Sequence, residues 1–133
     1  MYSLFSLLPF QDFMHYGKIF LLHINDSENS LFSINLAGIT YPESNYKLYR
    51  KSSDVYVFEY IVKGEGTVRC YGKEYRINSV DVYILPKDME HLYYSDKTNP
   101  WTKKWFNVTG KLCENYFMFF SIVIFSGVIP QFS

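Results

Sequence analysis

The chain has 133 residues, enough for one domain with a real core and too few for two domains of ordinary size. Its 13 basic and 13 acidic residues cancel, which argues against direct binding to DNA, because DNA-binding domains carry an excess of positive charge. Aromatic residues make up 20% of the chain. This share suits β-structure and stacking on a sugar-like ligand, although for any single ring a place in the core is the simpler interpretation.

Cysteines and terminal segments indicate the compartment. Cys70 and Cys113 lie far apart in no metal or redox spacing, so we interpret them as free thiols in a reducing compartment. The opening MYSLFSLLPF lacks a basic residue and a cleavage site, and is a poor signal peptide. The apolar run Tyr116 to Ile129 is shorter than the roughly 20 residues of a spanning helix. The sequence therefore predicts a cytoplasmic protein without membrane contact.

The first 50 residues predict an arm followed by short strands. Residues 1–30 are expected to form a poorly defined N-terminal arm, with one possible strand at Lys18 to Ile24. Leu31 to Tyr41, interrupted by Gly38, and Tyr46 to Arg50 predict two strands joined by a loop.

The central stretch predicts an antiparallel barrel. In Val55 to Lys63, β-branched and aromatic residues fill both faces, as in a barrel or sandwich. One face would carry Tyr56, Phe58, Tyr60 and Val62, and the other Val55, Val57, Glu59 and Ile61. Gly64-Glu65-Gly66 predicts a hairpin into Thr67 to Tyr71. Turns at Gly72-Lys73 and Asn78-Ser79 would lead into strands at Glu74 to Ile77 and Val80 to Leu85.

The C-terminal third predicts two more strands and a tail. His91 to Ser95 is extended, and Lys104 to Val108 is expected to be the last strand, ended by Gly110. A short helix is expected to begin at Lys111, but the block Phe117 to Phe125 carries no charge, unlike an amphipathic helix. We therefore expect a barrel over residues 31–110 and an apolar, helical tail over 111–133. That tail is either buried against a partner or the non-native ending of a truncated reading frame.

No catalytic pattern is present in the sequence. There is no nucleophile elbow, neither cysteine has a histidine nearby in sequence, and Glu59, Asp81 and Asp88 have no spacing that argues for paired carboxylates. His91 follows the strand ended by Pro86 and is suited to hydrogen-bond a ligand or hold a metal. A metal needs three or four such ligands, and the other histidines, His15 and His23, fall in the arm. The sequence predicts a protein that is not an enzyme and has no cofactor.

Ligand binding is better supported. Tyr93, Trp101 and Trp105 lie close to His91 in sequence, and an indole face with polar neighbours suits a sugar or another amphipathic small molecule. Arg50 is suited to donate in a fixed fork to ligand oxygens. The alternative for Arg50 is a surface position or a pair with Glu59, which would need a partner if it is buried.

Four segments carry a resemblance to a known family. They read LAGITYPESNYKLYR, YVFEYIVKGEGTV, VDVYILPKDMEHLYYSD and PWTKKWFNVTG, between Leu36 and about Tyr116. Together they resemble the N-terminal effector-binding, cupin-like domain of AraC-family transcriptional regulators. The resemblance implies an all-β fold, a small antiparallel cupin-like barrel of the double-stranded β-helix or jelly-roll type.

The second cupin motif falls on Val80, Pro86, Asp88 and His91. Val80 and Asp88 replace its two glycines, and a β-branched residue resists the positive φ that glycine allows. The histidines and glutamate of the first cupin motif are absent, as is usual in this family, which agrees with the interpretation without a metal.

The resemblance also implies a ligand site. Positions that contact sugar in an arabinose-responsive member match Thr40, Arg50, Tyr93 and Trp105, and a histidine close to that site matches His91. Lys103 stands where that member has a histidine, which suggests an acidic or phosphorylated sugar. The implied ligand-binding set is Thr40, Arg50, His91, Tyr93, Lys103 and Trp105.

The function implied is that of a ligand-sensing half of a transcription regulator. Regulators of this family carry two C-terminal helix-turn-helix units after a helical dimerisation segment, and nothing after Gly110 resembles these units. The resemblance implies that the tail 111–133 is either the start of the dimerisation helix or a truncation product. The chain is therefore expected to be a truncated regulator that senses a carbohydrate-like effector. It would form a homodimer, or a heterodimer with full-length relatives, and would not bind nucleic acid itself. The alternative left open is a stand-alone metal-dependent cupin enzyme, an isomerase or dioxygenase.

Overall fold

The computed structural model describes residues 17–21, 31–117, 122–126 and 129–132, which form antiparallel strands and one short helix. The strands are β1 (Gly17–Leu21), β2 (Ser33–Thr40), β3 (Lys47–Arg50), β4 (Tyr56–Lys63), β5 (Gly66–Cys70), β6 (Lys73–Ile77), β7 (Val82–Leu85), β8 (His91–Ser95), β9 (Thr102–Thr109), β10 (Val123–Ser126) and β11 (Ile129–Phe132). The helix α1 (Lys111–Phe117) lies between β9 and β10.

The strands form two sheets that enclose the core. One sheet has seven strands in the order β1-β2-β9-β4-β7-β10-β11, and the other has four in the order β3-β8-β5-β6. The main hydrophobic cluster joins Leu48, Val68 and Tyr93 of the smaller sheet to Ile61 and Leu85 of the larger one. The sequence-based prediction of a small, all-β antiparallel barrel is confirmed.

Strand β4 shows the predicted two-residue alternation. Val57, Glu59 and Ile61 are buried on the inner face, whereas Tyr60 and Val62 of the outer face are exposed. The outer face is covered near Tyr56 and Phe58, where Cys113 and Phe117 of α1 join the same apolar cluster.

The hairpin predicted at Gly64-Glu65-Gly66 is wrong. Strands β4 and β5 belong to different sheets, and the chain crosses from one sheet to the other at this point. Gly64 has a φ of 81°, and a Cβ there would lie 2.3 Å from the Pro100 carbonyl oxygen. A Cβ on Gly66 would lie 2.3 Å from the Trp101 ring. These glycines therefore allow close packing at a sheet crossing, and do not form a hairpin turn.

The next two turns also differ from the prediction. The β5–β6 hairpin turns at Tyr71-Gly72, one residue earlier than expected, and both residues have positive φ, 52° and 71°. This is the backbone of a type I′ loop, which matches the twist of the flanking strands. The turn at Asn78-Ser79 is also a crossing between the two sheets, because β6 and β7 belong to different sheets.

The C-terminal segment packs into the barrel. A short helix is present as expected, but Lys104 to Val108 is not the last strand, because β10 and β11 follow α1. Strand β10 pairs with β7, and Ile122, Val123 and Ile124 are buried. Their β-branched side chains suit a strand better than a helix. Strands β1 and β10 belong to the larger sheet, although both lie outside the predicted barrel domain of residues 31–110. The boundaries of that domain stay a prediction.

Among the described residues, no helix is long and apolar enough to cross a membrane.

Two residues that replace the cupin glycines keep a left-handed backbone. Val80 has a φ of 66° and Asp88 a φ of 61°. The Val80 amide donates to the Ile61 carbonyl at 2.8 Å, and the Ile61 amide donates to the Asp81 carbonyl at 3.0 Å. These two hydrogen bonds hold Val80 in a conformation that costs a non-glycine residue about 1–2 kcal/mol.

We expect Val80→Gly to stabilise the fold by about 1 kcal/mol, because it removes this strain and the Val80 side chain is 55% exposed. The measurement is the free energy of unfolding from urea denaturation. Val62→Gly is the matched control, because Val62 is exposed in a strand and not among the positive-φ residues. The control should lose about 0.5–1 kcal/mol. A Val80→Gly variant that is less stable than wild type would contradict the assignment of strain.

We expect deletion of residues 118–133 to lower the free energy of unfolding by about 5 kcal/mol, because it removes three buried aliphatic side chains at about 1.5–3 kcal/mol each. The deletion also leaves the β7 edge unpaired. A milder variant, Ile122→Ala, should lose about 2–5 kcal/mol. Leu112→Ala, at a 47% exposed position, is its control. Improved solubility on deletion would show instead that the tail is an unpacked apolar segment.

Candidate functional site

The six residues that the sequence singled out for ligand binding are all buried and lie on the inner faces of the two sheets. Thr40 lies on β2, Arg50 on β3, His91 and Tyr93 on β8, and Lys103 and Trp105 on β9. Register neighbours on antiparallel strands point to the same face. Thr40 is opposite Lys103, and Arg50 is opposite His91.

On the smaller sheet, Arg50 and His91 form a polar pair next to Tyr93. The His91 and Tyr93 rings stack with their centroids 5.8 Å apart. Leu48 and Val68 flank Tyr93 on the neighbouring strands. This part of the interior therefore combines aromatic surface with hydrogen-bonding groups.

On the larger sheet, Lys103 is fully buried and paired with a carboxylate. Its Nζ lies 2.5 Å from Oε2 of Glu59, and the Tyr83 hydroxyl donates to the same oxygen. Glu59 is opposite Tyr83 in the β4–β7 register. One carboxylate oxygen thus accepts hydrogen bonds from β7 and β9, the two neighbours of β4.

Three aromatic rings surround the Lys103 ammonium. Its Nζ lies 4.1 Å from the ring centroid of Tyr93, 4.7 Å from that of Trp101 and 5.0 Å from that of Tyr46. Each distance is within the range of a cation–π interaction. The rings and Glu59 together replace the water that a lysine would have at the surface.

Burial shifts the protonation of the interior groups. It lowers the pKa of Lys103 to about 8, although Glu59 opposes the shift. Burial, followed by the charge of Arg50, lowers the pKa of His91 to about 3, so the imidazole is neutral near pH 7. Burial also raises the pKa of the Tyr83 and Tyr93 hydroxyls, which therefore act as hydrogen-bonding groups and not as anions.

Arg50 is not paired with Glu59, contrary to one of the two interpretations of the sequence. Its side chain is 3% exposed, and Nε and Nη2 have no hydrogen-bond partner in the described structure. The surface interpretation is also wrong. What remains is a buried guanidinium whose donors on one edge are unused, next to a neutral histidine.

The sequence did not reveal Glu59, Tyr83 and Tyr46 as parts of the interior cluster. Glu59 gave a signal, because it is a single charge on an otherwise apolar strand face, but it pairs with Lys103, 44 residues away. Tyr83 and Tyr46 gave none, because tyrosines are frequent throughout this chain.

Metal binding has little support from the arrangement. Among the residues that the structure describes, no group of three or more histidine, cysteine or acidic side chains is placed to hold an ion. His15 and His23 lie outside those residues. The register neighbours of His91 are Arg50, which repels a cation, and Cys70. Burial raises the pKa of the Cys70 thiol, which disfavours the thiolate that a nucleophile or metal ligand needs.

Solved structures with the same fold include cupins. The protein YhaK from Escherichia coli matches with a TM-score of 0.57 and 16% identity over 72% of this chain and 45% of that one. A cupin 2 conserved barrel domain protein from Salinispora arenicola matches with a TM-score of 0.51 and 13% identity over 77% of this chain and 83% of that one. Identities this low show the fold alone, and the fold is a cupin barrel.

Curated relatives are regulators of operons. The lactose operon transcription activator of Staphylococcus xylosus is 32% identical over 110 residues, which span 78% of this chain and 38% of the relative. The Msm operon regulatory protein of Streptococcus mutans is 27% identical over 68% of this chain and 32% of its own length. The chain thus spans about a third of the length of these relatives. Residues 33–118 match the AraC-like ligand binding domain, and the chain belongs to that family.

Proposed function

We propose that this chain is the effector-sensing part of a transcription regulator and binds a small carbohydrate-like molecule inside the barrel. The ligand would contact Thr40, Arg50, His91, Tyr93, Lys103 and Trp105. The observation that carries the proposal is the pair Arg50 and His91, two buried polar side chains on neighbouring strands whose nitrogen atoms include several without a hydrogen-bond partner. Buried polar groups without partners are rare in folded proteins, and a ligand would supply the partners.

The surroundings of this pair suit a sugar. Aromatic rings offer flat apolar faces to the C–H surface of a sugar, and polar side chains next to them fix its hydroxyl groups. Tyr93 and Trp105 supply the rings, and Thr40 supplies a hydroxyl group. The name of the Staphylococcus xylosus relative refers to a lactose operon, so lactose and galactose belong among the first compounds to test.

Regulation would follow from linkage between the effector and the assembly of subunits. An effector shifts an equilibrium between two arrangements only by its difference in affinity for them. The chain would act in the cytoplasm as a homodimer, or as a heterodimer with full-length relatives, and would leave DNA contacts to other segments. It would catalyse no reaction.

We expect Trp105→Ala to weaken the binding of a sugar effector at least about tenfold, the equivalent of 1.4 kcal/mol, because it removes a ring from the inner face. The measurement is calorimetric titration against a panel that includes lactose, galactose and arabinose. Trp105→Phe keeps the core filled if the alanine variant folds poorly. Tyr49→Ala is the control, because Tyr49 is an exposed aromatic residue on β3, and it should bind as wild type does. Sugar binding unaffected by both Trp105 variants would remove the proposed site.

The alternative of a metal-dependent enzyme is not favoured, and elemental analysis separates it from the proposal. We expect purified protein that has been incubated with iron, zinc or manganese and then desalted to hold well under one ion per chain. The reason is that Arg50 opposes a cation at His91. Stoichiometric metal that is lost in His91→Ala and retained in Cys113→Ser would overturn this expectation.

A further inference from the structure

We infer that the effector carries an anionic group, a carboxylate or a phosphate, and that Arg50 is the residue that binds it. The inference rests on the proposed function and goes beyond it by naming the chemical class of the effector. It differs from the expectation based on Lys103, because it assigns the recognition of charge to the other buried cation.

The unused donors of Arg50 have the right geometry for an anion. Nε and Nη2 lie on the same edge of the planar guanidinium, and their two N–H groups point in nearly parallel directions. This edge forms the bidentate fork that binds carboxylate and phosphate oxygens. Neither atom has a partner among the described residues, and the side chain is almost completely buried. A neutral hydroxyl group would satisfy this edge only in part.

The charges around Arg50 favour an anion. The buried carboxylates of the described residues are Glu59 and Asp81. Glu59 accepts from Lys103 and Tyr83, and Asp81 accepts from the amide of Asn78 at 2.7 Å. His91, the strand neighbour of Arg50, is held neutral. No carboxylate of the described residues thus compensates the Arg50 charge, and a buried charge without a counter-ion carries a large desolvation cost.

Lys103 is a weaker candidate for the anion site, because its charge is already compensated. Its ammonium contacts the Glu59 carboxylate and three aromatic faces. An incoming anion would have to compete with Glu59 for this ammonium, and would meet the repulsion of the carboxylate. At Arg50 it would meet no such competitor among the residues that the structure describes.

His91 is placed to support the anion. Neither ring nitrogen makes a hydrogen bond of normal geometry in the described structure, although the Met89 backbone interacts with the imidazole and raises its pKa against the effect of burial. A neutral imidazole donates from one nitrogen. A carboxylate or phosphate bound on the fork of Arg50 would lie next to the opposite strand residue, His91. The pair therefore offers up to three donors to one anionic group.

The test compares sugars that differ only in charge. D-Galactose, D-galacturonate and galactose 6-phosphate, and the three corresponding glucose compounds, are titrated into the purified chain by calorimetry at low and at physiological salt. We expect at least one anionic form to bind about 30-fold or more tightly than its neutral parent. The carboxylate and phosphate arms show which anion the site takes.

Variants assign the preference to a residue. Arg50→Gln should reduce the affinity for the anion to that for the neutral sugar, and Arg50→Lys, which keeps the charge without the fork, should retain part of the preference. Lys104→Gln is the matched control, because Lys104 is exposed on the strand that carries Lys103, and its preference should equal that of wild type. Arg50→Met, without any ligand, should melt several degrees higher than wild type, because an uncompensated buried charge is removed.

The outcomes separate the inference from the proposed function. Equal binding of neutral and anionic sugars would overturn the inference and leave the sugar-sensing proposal standing. A preference that survives in Arg50→Gln and disappears in Lys103→Met would overturn it in favour of Lys103. If none of the compounds binds and Arg50→Met melts lower than wild type, both the inference and the proposed function fail.

Discussion

The buried contact between Lys103 and Glu59 determines how the interior of this barrel is arranged. It joins β4, the central strand of the larger sheet, to the neighbouring strand β9, and the Tyr83 hydroxyl extends it to β7 on the other side. A buried ion pair of this kind adds little net stability over an apolar core, but removing one partner leaves a charge in the interior at a cost of about 3–5 kcal/mol. The pair therefore constrains the positions of β4, β7 and β9, and Lys103 is held at the centre of three aromatic rings.

Much of the fold follows from local sequence patterns, and the errors occur where distant segments meet. The alternation of Val57, Glu59 and Ile61 predicted the inner face of β4 correctly, because the two-residue period is a local property. Gly64 and Gly66 suggested a hairpin, whereas their function is to admit Pro100 and Trp101. A glycine required by a neighbour far along the chain cannot be distinguished, from sequence alone, from one required by a turn.

The candidate site shows the same limit. The resemblance to the family named six residues, and all six lie on the inner faces, yet whether they bind a ligand stays a prediction. The partners of these residues were not predictable, because a single carboxylate such as Glu59 had both Arg50 and Lys103 as possible cations. Only the three-dimensional register decides between them. Val80 and Asp88 add a related point, since the left-handed backbone of the two cupin glycines is retained without glycine.

Arg50 and Lys103 are both buried cations, but they differ in whether a nearby carboxylate compensates their charge. The charge of Lys103 is balanced inside the protein by the Glu59 carboxylate. Within the part of the chain that the structure describes, the charge of Arg50 has no such balance, and it therefore carries a desolvation cost that an anionic ligand would relieve. A ligand that relieves this cost binds the folded barrel more tightly than the unfolded chain, and so stabilises the folded state. In a sensing domain, that difference is what allows a small molecule to alter the stability or assembly of the protein.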